Sequence, residues 1–411
     1  MSRRLVLLLA VTCAVAVGNL YFPQAVGPLI ASGLDVPAGA ASLVVTATQI
    51  GYTAGMVLLV PLGDRFRHRP LIVVLLCLTG LALLGAGCAP GLPSLIGASA
   101  LVGLTTVAAQ VIGPLAAGLV EPERRGAVLG VLLSGSTGGM LLARTFGGTL
   151  GERLGWRAPY LVAAAVAFVL AAVTAYAVPS TPQTPPAERR PYVRFLTEPV
   201  RLLRAEPELR RSCWYQAAVF GGFSAAWTSL ALLLTGPVYG LGAEAVGLLA
   251  LVGAGTMLCT PYAGRLVDRH GPGPVNLVCL LGVLVAAAVL AAGALGGPVG
   301  LAALAAGTLL LDVAMQSGTV ANQSRVFTLR PDARSRLNTA YMTCAYLGGT
   351  AGSWLGVRAH TAYGWPAVCT LIAALASLAL VHHLSPRRRK QAPAPGRGAP
   401  SPGKAPLRIG A

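Results

Sequence analysis

Charged residues are scarce in this sequence. Only 11% of its 411 residues are Asp, Glu, Lys or Arg, whereas ordinary soluble domains carry about a quarter. Uninterrupted polar stretches are also rare, because runs of about twenty apolar residues, each long enough to cross a ~30 Å hydrocarbon core, follow one another along most of the chain. These absences exclude a soluble globular protein and predict an all-α membrane protein.

Groups of reactive side chains are missing as well. The five histidines lie at the ends of apolar runs or between them, and the eight cysteines are scattered with no C-x-x-C pair. There is no Gly-x-x-x-x-Gly-Lys-Ser/Thr loop for ATP. A membrane enzyme would need a clustered nucleophile, base or metal set, and a sensor an appended soluble domain. We therefore expect no enzyme, no metal site and no cofactor, and a membrane sensor or enzyme is the weakest alternative.

Positive charge is abundant but unevenly placed. The net charge is +18, and 27 of the 31 Lys and Arg residues fall on one side of the membrane if the N-terminus is cytoplasmic. The exceptions are Arg144, within an apolar run, and Arg153, Arg157 and Arg358 on the other side. This is the positive-inside pattern, so the basic excess indicates topology and not nucleic-acid binding. With lysine nearly absent beside arginine, it predicts a bacterial inner membrane and cytoplasmic N- and C-termini.

Turn residues and charge clusters divide the apolar sequence into twelve predicted transmembrane helices. They lie near 5–31, 38–61, 70–89, 93–119, 125–150, 157–178, 212–236, 243–264, 274–296, 299–325, 335–358 and 363–384. We thus predict an N-terminal six-helix bundle over 1–178, a cytoplasmic linker over 179–211, a C-terminal six-helix bundle over 212–384 and a disordered basic tail over 385–411.

An internal repeat relates the two predicted bundles. Asp64-Arg65 follows the second helix and Asp268-Arg269 follows the eighth. At one constant offset of 209 residues, six further residues match: Pro122, Glu123 and Arg125 with Pro331, Asp332 and Arg334, and Gly139, Gly147 and Trp156 with Gly348, Gly356 and Trp365. Two homologous halves in parallel topology place a substrate site between them near mid-membrane.

The repeated loop resembles the signature of the major facilitator superfamily. Gly264-x-x-x-Asp268-Arg269-x-Gly271 is similar to the loop between the second and third helices of each half in that family, and the resemblance covers all but the tail. It implies two six-helix bundles related by a pseudo-twofold axis. Three further segments resemble a branch of bacterial drug-efflux-like transporters of the drug:proton antiporter type. They are Asn19-Leu20-Tyr21-Phe22-Pro23-Gln24, Gln49-Ile50-Gly51-Tyr52 and Arg144-Thr145-Phe146-Gly147-Gly148.

Asp312 is the one carboxylate placed deep inside a predicted helix. It lies about 18 Å from the outer end of helix 10, where an ionised carboxylate is costly unless it is hydrated, paired or protonated. Asp312, Gln316, Thr319 and Gln323 share one face of that helix. We therefore expect Asp312 to exchange the coupling proton, with a structural carboxylate as the alternative.

Arg144 is the one basic residue within a predicted helix. It lies about 28 Å along helix 5 from Arg125, near the outer interface. Three roles stay open: partner of Asp312, ligand for an anionic substrate group, or an arginine that extends to the membrane surface.

The remaining candidate pathway residues are neutral hydrogen-bonding or aromatic side chains. A lining of this kind suits a moderately hydrophobic organic molecule better than a metal ion or polyanion. The candidates beside Arg144 are Asn19, Gln24, Gln49, Tyr52, Gln110, Gln216, Trp227, Gln316, Asn338 and Tyr341.

By the family resemblance, the charged residues of the repeated loops form a cytoplasmic gate that pairs across the halves. These residues are Asp64, Arg65, Asp268, Arg269, Arg125 and Arg334. The sequence thus predicts a secondary active transporter, a monomer in the lipid bilayer, that exports a small organic molecule against proton flow by alternating access. A metabolite importer or facilitator on the same fold is the alternative.

Overall fold

The computed structural model describes residues 2–64, 66–179, 192–253, 256–330 and 334–385. Within these ranges the chain is helical, with short connections and no strand. The disordered tail predicted over 385–411 lies outside the described residues, apart from Ser385. Residues 180–191 of the predicted linker, which include most of its Pro-rich stretch, also lie outside them.

The first half contains six helical segments in the places predicted for its membrane helices, counted over the described residues. Helix 1 comprises Arg3–Gly18 and Phe22–Gly33, helix 2 Ala38–Ala41 and Leu43–Leu58, helix 3 His68–Gly87, helix 4 Leu92–Thr105 and Ala108–Gly118, helix 5 Pro122–Leu154, and helix 6 Ala158–Ala177. A 3-10 turn, Val60–Asp64, follows helix 2.

The second half repeats this arrangement after a short linker helix, Tyr192–Ala205. Helix 7 is Pro207–Thr235, helix 8 Ala243–Val252 and Thr256–His270, helix 9 Pro272–Ala291, helix 10 Gly297–Leu329, helix 11 Arg334–Tyr363, and helix 12 Trp365–Leu384. Helix 7 begins earlier than the predicted 212, because Pro207 suits the first turn of a helix and Glu208 favours its positive end.

Nine helices of the described chain are long and apolar enough to cross a membrane by length and composition alone. Helices 5, 8 and 11 are the exceptions. Helix 5 packs on helix 8 of the other half, and helix 11 packs on helix 2. Because their faces meet protein more than lipid, they can carry more glycine and polar residues than helices that face hydrocarbon.

Both halves use the same helix pairings. Helix 1 packs on helix 5 as helix 7 packs on helix 11, helices 2 and 4 correspond to helices 8 and 10, and helices 3 and 6 to helices 9 and 12. The glycines of the repeat make equivalent contacts. A Cβ on Gly139 would lie 2.1 Å from the Ala14 carbonyl oxygen, and one on Gly348 would lie 2.2 Å from that of Ala217. The repeat therefore specifies backbone packing, and the two bundles are related by a pseudo-twofold axis.

Two sides of the molecule are distinguished below. The N-terminal side carries Arg3, the start of helix 5 and the linker helix. The far side carries the turns after helix 1 and after helix 7. Helix 1 is broken at residues 19–21 between the two sides, and the first segment of helix 8 ends at Val252. Both interruptions lie where the halves meet.

Candidate substrate and coupling site between the halves

Arg144 lies inside the protein, between the two halves. Its side chain is fully buried, and its Nε donates a hydrogen bond to Gln24 Oε1 at 2.9 Å. Its guanidinium carbon lies 4.1 Å from the ring centroid of Trp227, 5.1 Å from that of Tyr21 and 5.3 Å from that of Phe223. Three aromatic faces thus replace much of the water that would otherwise solvate the charge. Of the three roles left open for Arg144, extension to the membrane surface does not fit its position.

Asp312 lies at the Nε1 edge of the same indole. It is fully buried about halfway along helix 10, and Trp227 Nε1 donates a hydrogen bond to its Oδ1 at 3.1 Å. Its Oδ2 faces Gly253, where a Cβ would lie only 2.7 Å away. Arg144 and Asp312 form no direct ion pair within the described structure. They are linked through Trp227, which contacts both charged side chains.

Several buried polar atoms of this group have no hydrogen-bond partner among the described residues. They are Arg144 Nη1 and Nη2, Gln24 Nε2 and Asp312 Oδ2. A buried polar group without a partner costs about 1–3 kcal/mol, so such a concentration is unusual in a purely structural contact. We call Arg144, Asp312, Trp227, Gln24, Tyr21 and Phe223 the central cluster.

Two other candidates of the first half, Tyr52 and Gln110, form a second polar group. Gln110 Nε2 donates to the Tyr52 hydroxyl at 3.0 Å, and the Tyr52 ring lies 4.5 Å from that of Tyr346 on helix 11. Asn19 instead bonds within its own half, to Thr106 Oγ1 at 3.2 Å. Gln49 is buried, and its Oε1 has no partner among the described residues.

Gln216 and Tyr341 of the second half form a third group with Thr319, separate from the central cluster. Gln216 Nε2 donates to Thr319 Oγ1 at 2.8 Å, and Gln216 Oε1 accepts from the Tyr341 hydroxyl at 2.7 Å. These bonds join helices 7, 10 and 11. Gln316 and Asn338 are half-buried. They precede Thr319 on helix 10 and Tyr341 on helix 11 by three residues each.

The predicted cytoplasmic gate is only partly visible. Asp268 and Arg269 are exposed near the end of helix 8, on the N-terminal side. Arg65 lies outside the described residues. For Asp64, Arg125 and Arg334 the structure describes the backbone but not the side chain. The gate therefore stays a prediction.

A different contact between the halves lies at the far side, and it was not predicted from the sequence. Glu152 Oε2, at the end of helix 5, accepts a hydrogen bond at 2.7 Å from the backbone N–H of Ala243, the first residue of helix 8. Arg153 and Glu244 form an exposed ion pair at 3.5 Å beside it. Deeper along the same helices, Thr145 Oγ1 donates to the Gly247 carbonyl at 2.7 Å. We call these contacts the far-side seam.

Sequence reasoning selected Arg144, Asp312, Trp227 and Gln24 separately and missed what surrounds them. Tyr21 and Phe223 were not among the candidates, although Phe223 precedes Trp227 by one helical turn and Tyr21 lies in the string that includes Gln24. No pattern could have indicated Gly253, one of 51 glycines. Among the described residues, no group of three or more His, Cys, Asp or Glu side chains could hold a metal ion.

Comparison with known proteins agrees with the fold and the two-half architecture. The family model described as Major Facilitator Superfamily matches residues 7–320 and 248–409. The uncharacterized transporter YgaY of Escherichia coli O157:H7 is 35% identical over 93% of this chain and 95% of its own length. The chloramphenicol resistance protein of Streptomyces lividans is 29% identical over 69% of this chain and 71% of its own.

Solved structures extend the comparison to the backbone. A crystal structure of a mutant of the nucleoside transporter NupG superposes with a TM-score of 0.72 at 13% identity, over 92% of this chain and 98% of that one. At this identity the likeness concerns the fold alone. The sequence comparisons therefore show the family, and the structure comparison agrees with its fold.

Proposed function

The chain belongs to the major facilitator superfamily, and from this premise we propose that it is a proton-coupled exporter of small organic molecules that works by alternating access. Its family makes it a membrane transporter of small molecules and not an enzyme. Direction, coupling ion and substrate are the proposed parts.

The central cluster carries this proposal. Arg144 belongs to helix 5 of the first half, and Asp312 to helix 10 of the second, yet both are buried against Trp227. When the halves rock relative to one another, the distance between these charges and their access to water change together. A group whose environment differs between two packings shifts the balance between them, which is the physical basis of coupling.

Asp312 is the proposed proton carrier. Among the described residues it is the only carboxylate with a buried side chain. An ionised carboxylate inside a membrane costs several kcal/mol unless it is compensated, and protonation removes that cost. A proton taken up from the outer side and released to the cytoplasm would drive substrate in the opposite direction.

The far-side seam supports the alternating part of the proposal. In this structure it joins helices 5 and 8 across the halves through Glu152, Thr145 and their backbone partners. Opening to the far side requires these bonds to break. The charged loop residues around Asp268 would close the opposite side when the seam opens.

The positive-inside pattern assigns the N-terminal side to the cytoplasm. Both termini are then cytoplasmic, and the relatives in Escherichia coli and Streptomyces support a bacterial inner membrane. The cluster and the seam are built from one chain, so we propose a monomer. Export of an organic compound is supported by the likeness to a chloramphenicol resistance protein, and uptake of a metabolite is the rival direction.

Inside-out membrane vesicles test the proposal. When respiration acidifies their lumen, an exporter accumulates substrate inside them, and a panel of radiolabelled aromatic antibiotics serves as probe. We expect accumulation that collapses when the pH gradient is dissipated. Asp312→Asn should abolish it while sparing exchange of substrate between the two sides.

Asp35→Asn is the matched control. It makes the same chemical change at an exposed turn residue with φ 51°, a conformation that asparagine also tolerates. This variant should accumulate substrate normally. Accumulation by Asp312→Asn at the wild-type level would refute the proton assignment, and accumulation in the reverse orientation alone would establish the importer.

A further inference from the structure

The unpartnered atoms of the central cluster describe the molecule that would satisfy them. Arg144 Nη1 and Nη2 and Gln24 Nε2 are donors, and Asp312 Oδ2 is an acceptor. A complementary ligand therefore presents acceptor oxygens to Arg144 and Gln24 and one O–H or N–H to Asp312. All four atoms are buried, so a ligand there would make these bonds away from competing water.

The charge of the cluster restricts the ligand further. With Asp312 ionised, Arg144 and Asp312 sum to zero, and with Asp312 protonated the cluster is positive. In neither state is it negative. The other buried charge among the described side chains, Arg325, is also positive, and its Nε lies 3.9 Å from Glu208 near the N-terminal side. A permanent organic cation would therefore meet Arg144 without a free anion to offset the repulsion.

Antiport also argues against a simple anion. An anion would bind Arg144 best when Asp312 is protonated, so proton and anion would travel together. A ligand that donates a hydrogen bond to Asp312 Oδ2 competes instead with the proton for that oxygen. Binding of such a ligand and binding of the proton exclude each other, which is what exchange requires.

Aromatic rings extend from the cluster across the contact between the halves. Trp227 and Phe223 have ring centroids 6.5 Å apart, Phe223 and Phe220 5.6 Å, and Phe220 and Tyr346 5.2 Å. Tyr346 then meets Tyr52 of the other half. This aromatic strip crosses from one half to the other, and its faces suit a planar ring in the ligand.

We propose that the central cluster selects uncharged or zwitterionic aromatic molecules that carry an acceptor group beside a hydroxyl or amine, and that Arg144 excludes permanent organic cations. The acceptor oxygens bind Arg144, the O–H or N–H binds Asp312 Oδ2, and Gly253 places no Cβ against that oxygen. The inference rests on the proposed proton-coupled export and names its substrate class.

Equilibrium binding to purified protein in nanodiscs, without a proton gradient, tests this selection. The probes are aromatic antibiotics in matched sets: chloramphenicol, the trimethylammonium derivative of its amine base and its succinate ester represent neutral, cationic and anionic forms of one skeleton. Further uncharged and zwitterionic antibiotics are each paired with a permanently cationic derivative. We expect at least one uncharged or zwitterionic member to bind about tenfold or more tightly than its cationic derivative.

Variants at Arg144 and Gly253 identify the cause. Arg144→Gln should bring the cationic derivatives to within about threefold of their parents, and Arg144→Lys, which keeps the charge, should still exclude them. Gly253→Ala should weaken the parents about tenfold, because its Cβ would occupy the space at Asp312 Oδ2. Since Arg144→Gln can impair folding, Arg144→Lys and Gly253→Ala, checked by monodisperse elution, keep the inference testable.

Cations that bind as tightly as their parents to the wild type, or no binding by any uncharged or zwitterionic member, would overturn the proposed selectivity. Its failure is separable from failure of the proposed function. Arg144-dependent binding of a neutral probe that is never accumulated in acidified vesicles refutes export alone. Acid-driven accumulation of a cation, lost in Asp312→Asn, refutes the selectivity alone.

Discussion

The two halves of this transporter share a packing scheme and differ in the charges placed on it. Helix 5 and helix 11 are equivalent in the repeat, and the residue 209 positions after Arg144 is Ser353. Arg144 reaches Gln24 on helix 1, whereas Ser353 shares a hydrogen bond of 3.0 Å with Thr228 on helix 7. Both positions are fully buried. One half therefore holds a cation where the other has an ordinary neutral bond between helices.

The acid shows the same asymmetry in reverse. The position 209 residues before Asp312 is Gly103, where a Cβ would lie 1.9 Å from the Thr48 carbonyl oxygen of helix 2. In the second half the glycine is Gly253 of helix 8, and the acid occupies helix 10. The glycine of this contact thus belongs to helix 4 in the first half and to helix 8 in the second. With the glycine on helix 8, helix 10 can carry an acid without a change of fold. Duplication supplied the architecture, and divergence between the copies supplied the chemistry.

The largest effect should come from substitutions at the glycines that pack helix 1 on helix 5 and helix 7 on helix 11. Gly139→Leu and Gly348→Leu place a side chain where a Cβ alone would lie about 2.1–2.2 Å from a backbone oxygen, a distance that backbone cannot relieve locally. Each should abolish the monodisperse peak in size-exclusion chromatography of membrane extracts. Gly97→Leu, at an exposed helix position with open space around it, is the control and should elute normally. Unequal outcomes for the two repeat glycines would contradict an equivalent scaffold.

Replacing Arg144 with the serine found at the equivalent position of the second half should have the next largest effect. Arg144→Ser makes the two positions alike and removes the positive charge that lies with Asp312 on Trp227. We expect the initial rate of acid-driven accumulation in inside-out vesicles to fall at least ~100-fold. Retention of even a tenth of the wild-type rate would show that the cation is dispensable.

The neutral counterpart should matter little. Ser353→Ala removes one hydrogen bond between helices, worth roughly 0.6 kcal/mol in membrane proteins. Its thermal unfolding in detergent should shift by only a few degrees, and its transport rate should stay within about threefold of wild type. A loss as large as that of Arg144→Ser would mean that the two halves contribute equally to transport.

The smallest effect concerns the far-side seam. Glu152→Gln keeps an oxygen that can accept from the Ala243 N–H but removes a negative charge at a helix N-terminus, worth about 0.3–1 kcal/mol. Hydrogen exchange at that amide should accelerate about two- to fivefold, as measured by mass spectrometry. Glu244→Gln, in an exposed ion pair, serves as the control and should change it less. Unchanged exchange in Glu152→Gln would show that the carboxylate charge does not hold the seam closed.

Features repeated along the chain were predictable, and features made between distant helices were not. The glycine matches at a constant offset indicated two halves because identical packing requires identical small residues. Arg144 and Asp312 were identifiable because each is expensive in a membrane and must have a reason to be there. Their meeting on Trp227 depends on how helices 5, 7 and 10 cross, which no local pattern encodes.

The expected surface position of Arg144 shows the limit of counting residues along a helix. Distance along the axis places Arg144 near the far end of helix 5, but it does not tell that Tyr21, Phe223 and Trp227 enclose that face. The far-side seam was missed for a related reason. Glu152 resembles any polar residue at the end of a membrane helix until its partner, a backbone amide of the other half, is known.

The burial of individual helices also bears on how freely the sequence can change. In the most apolar stretch of helix 7, 89% of the residues are buried, whereas in that of helix 12 only 28% are. Most side chains of helix 12 lie at least partly on the surface, where lipid accepts almost any apolar residue, while those of helix 7 must fit neighbours on several sides. Systematic mutagenesis should therefore find helix 12 permissive and helix 7 intolerant. Helix 12 is the place to attach a fluorescent or spin label without disturbing transport.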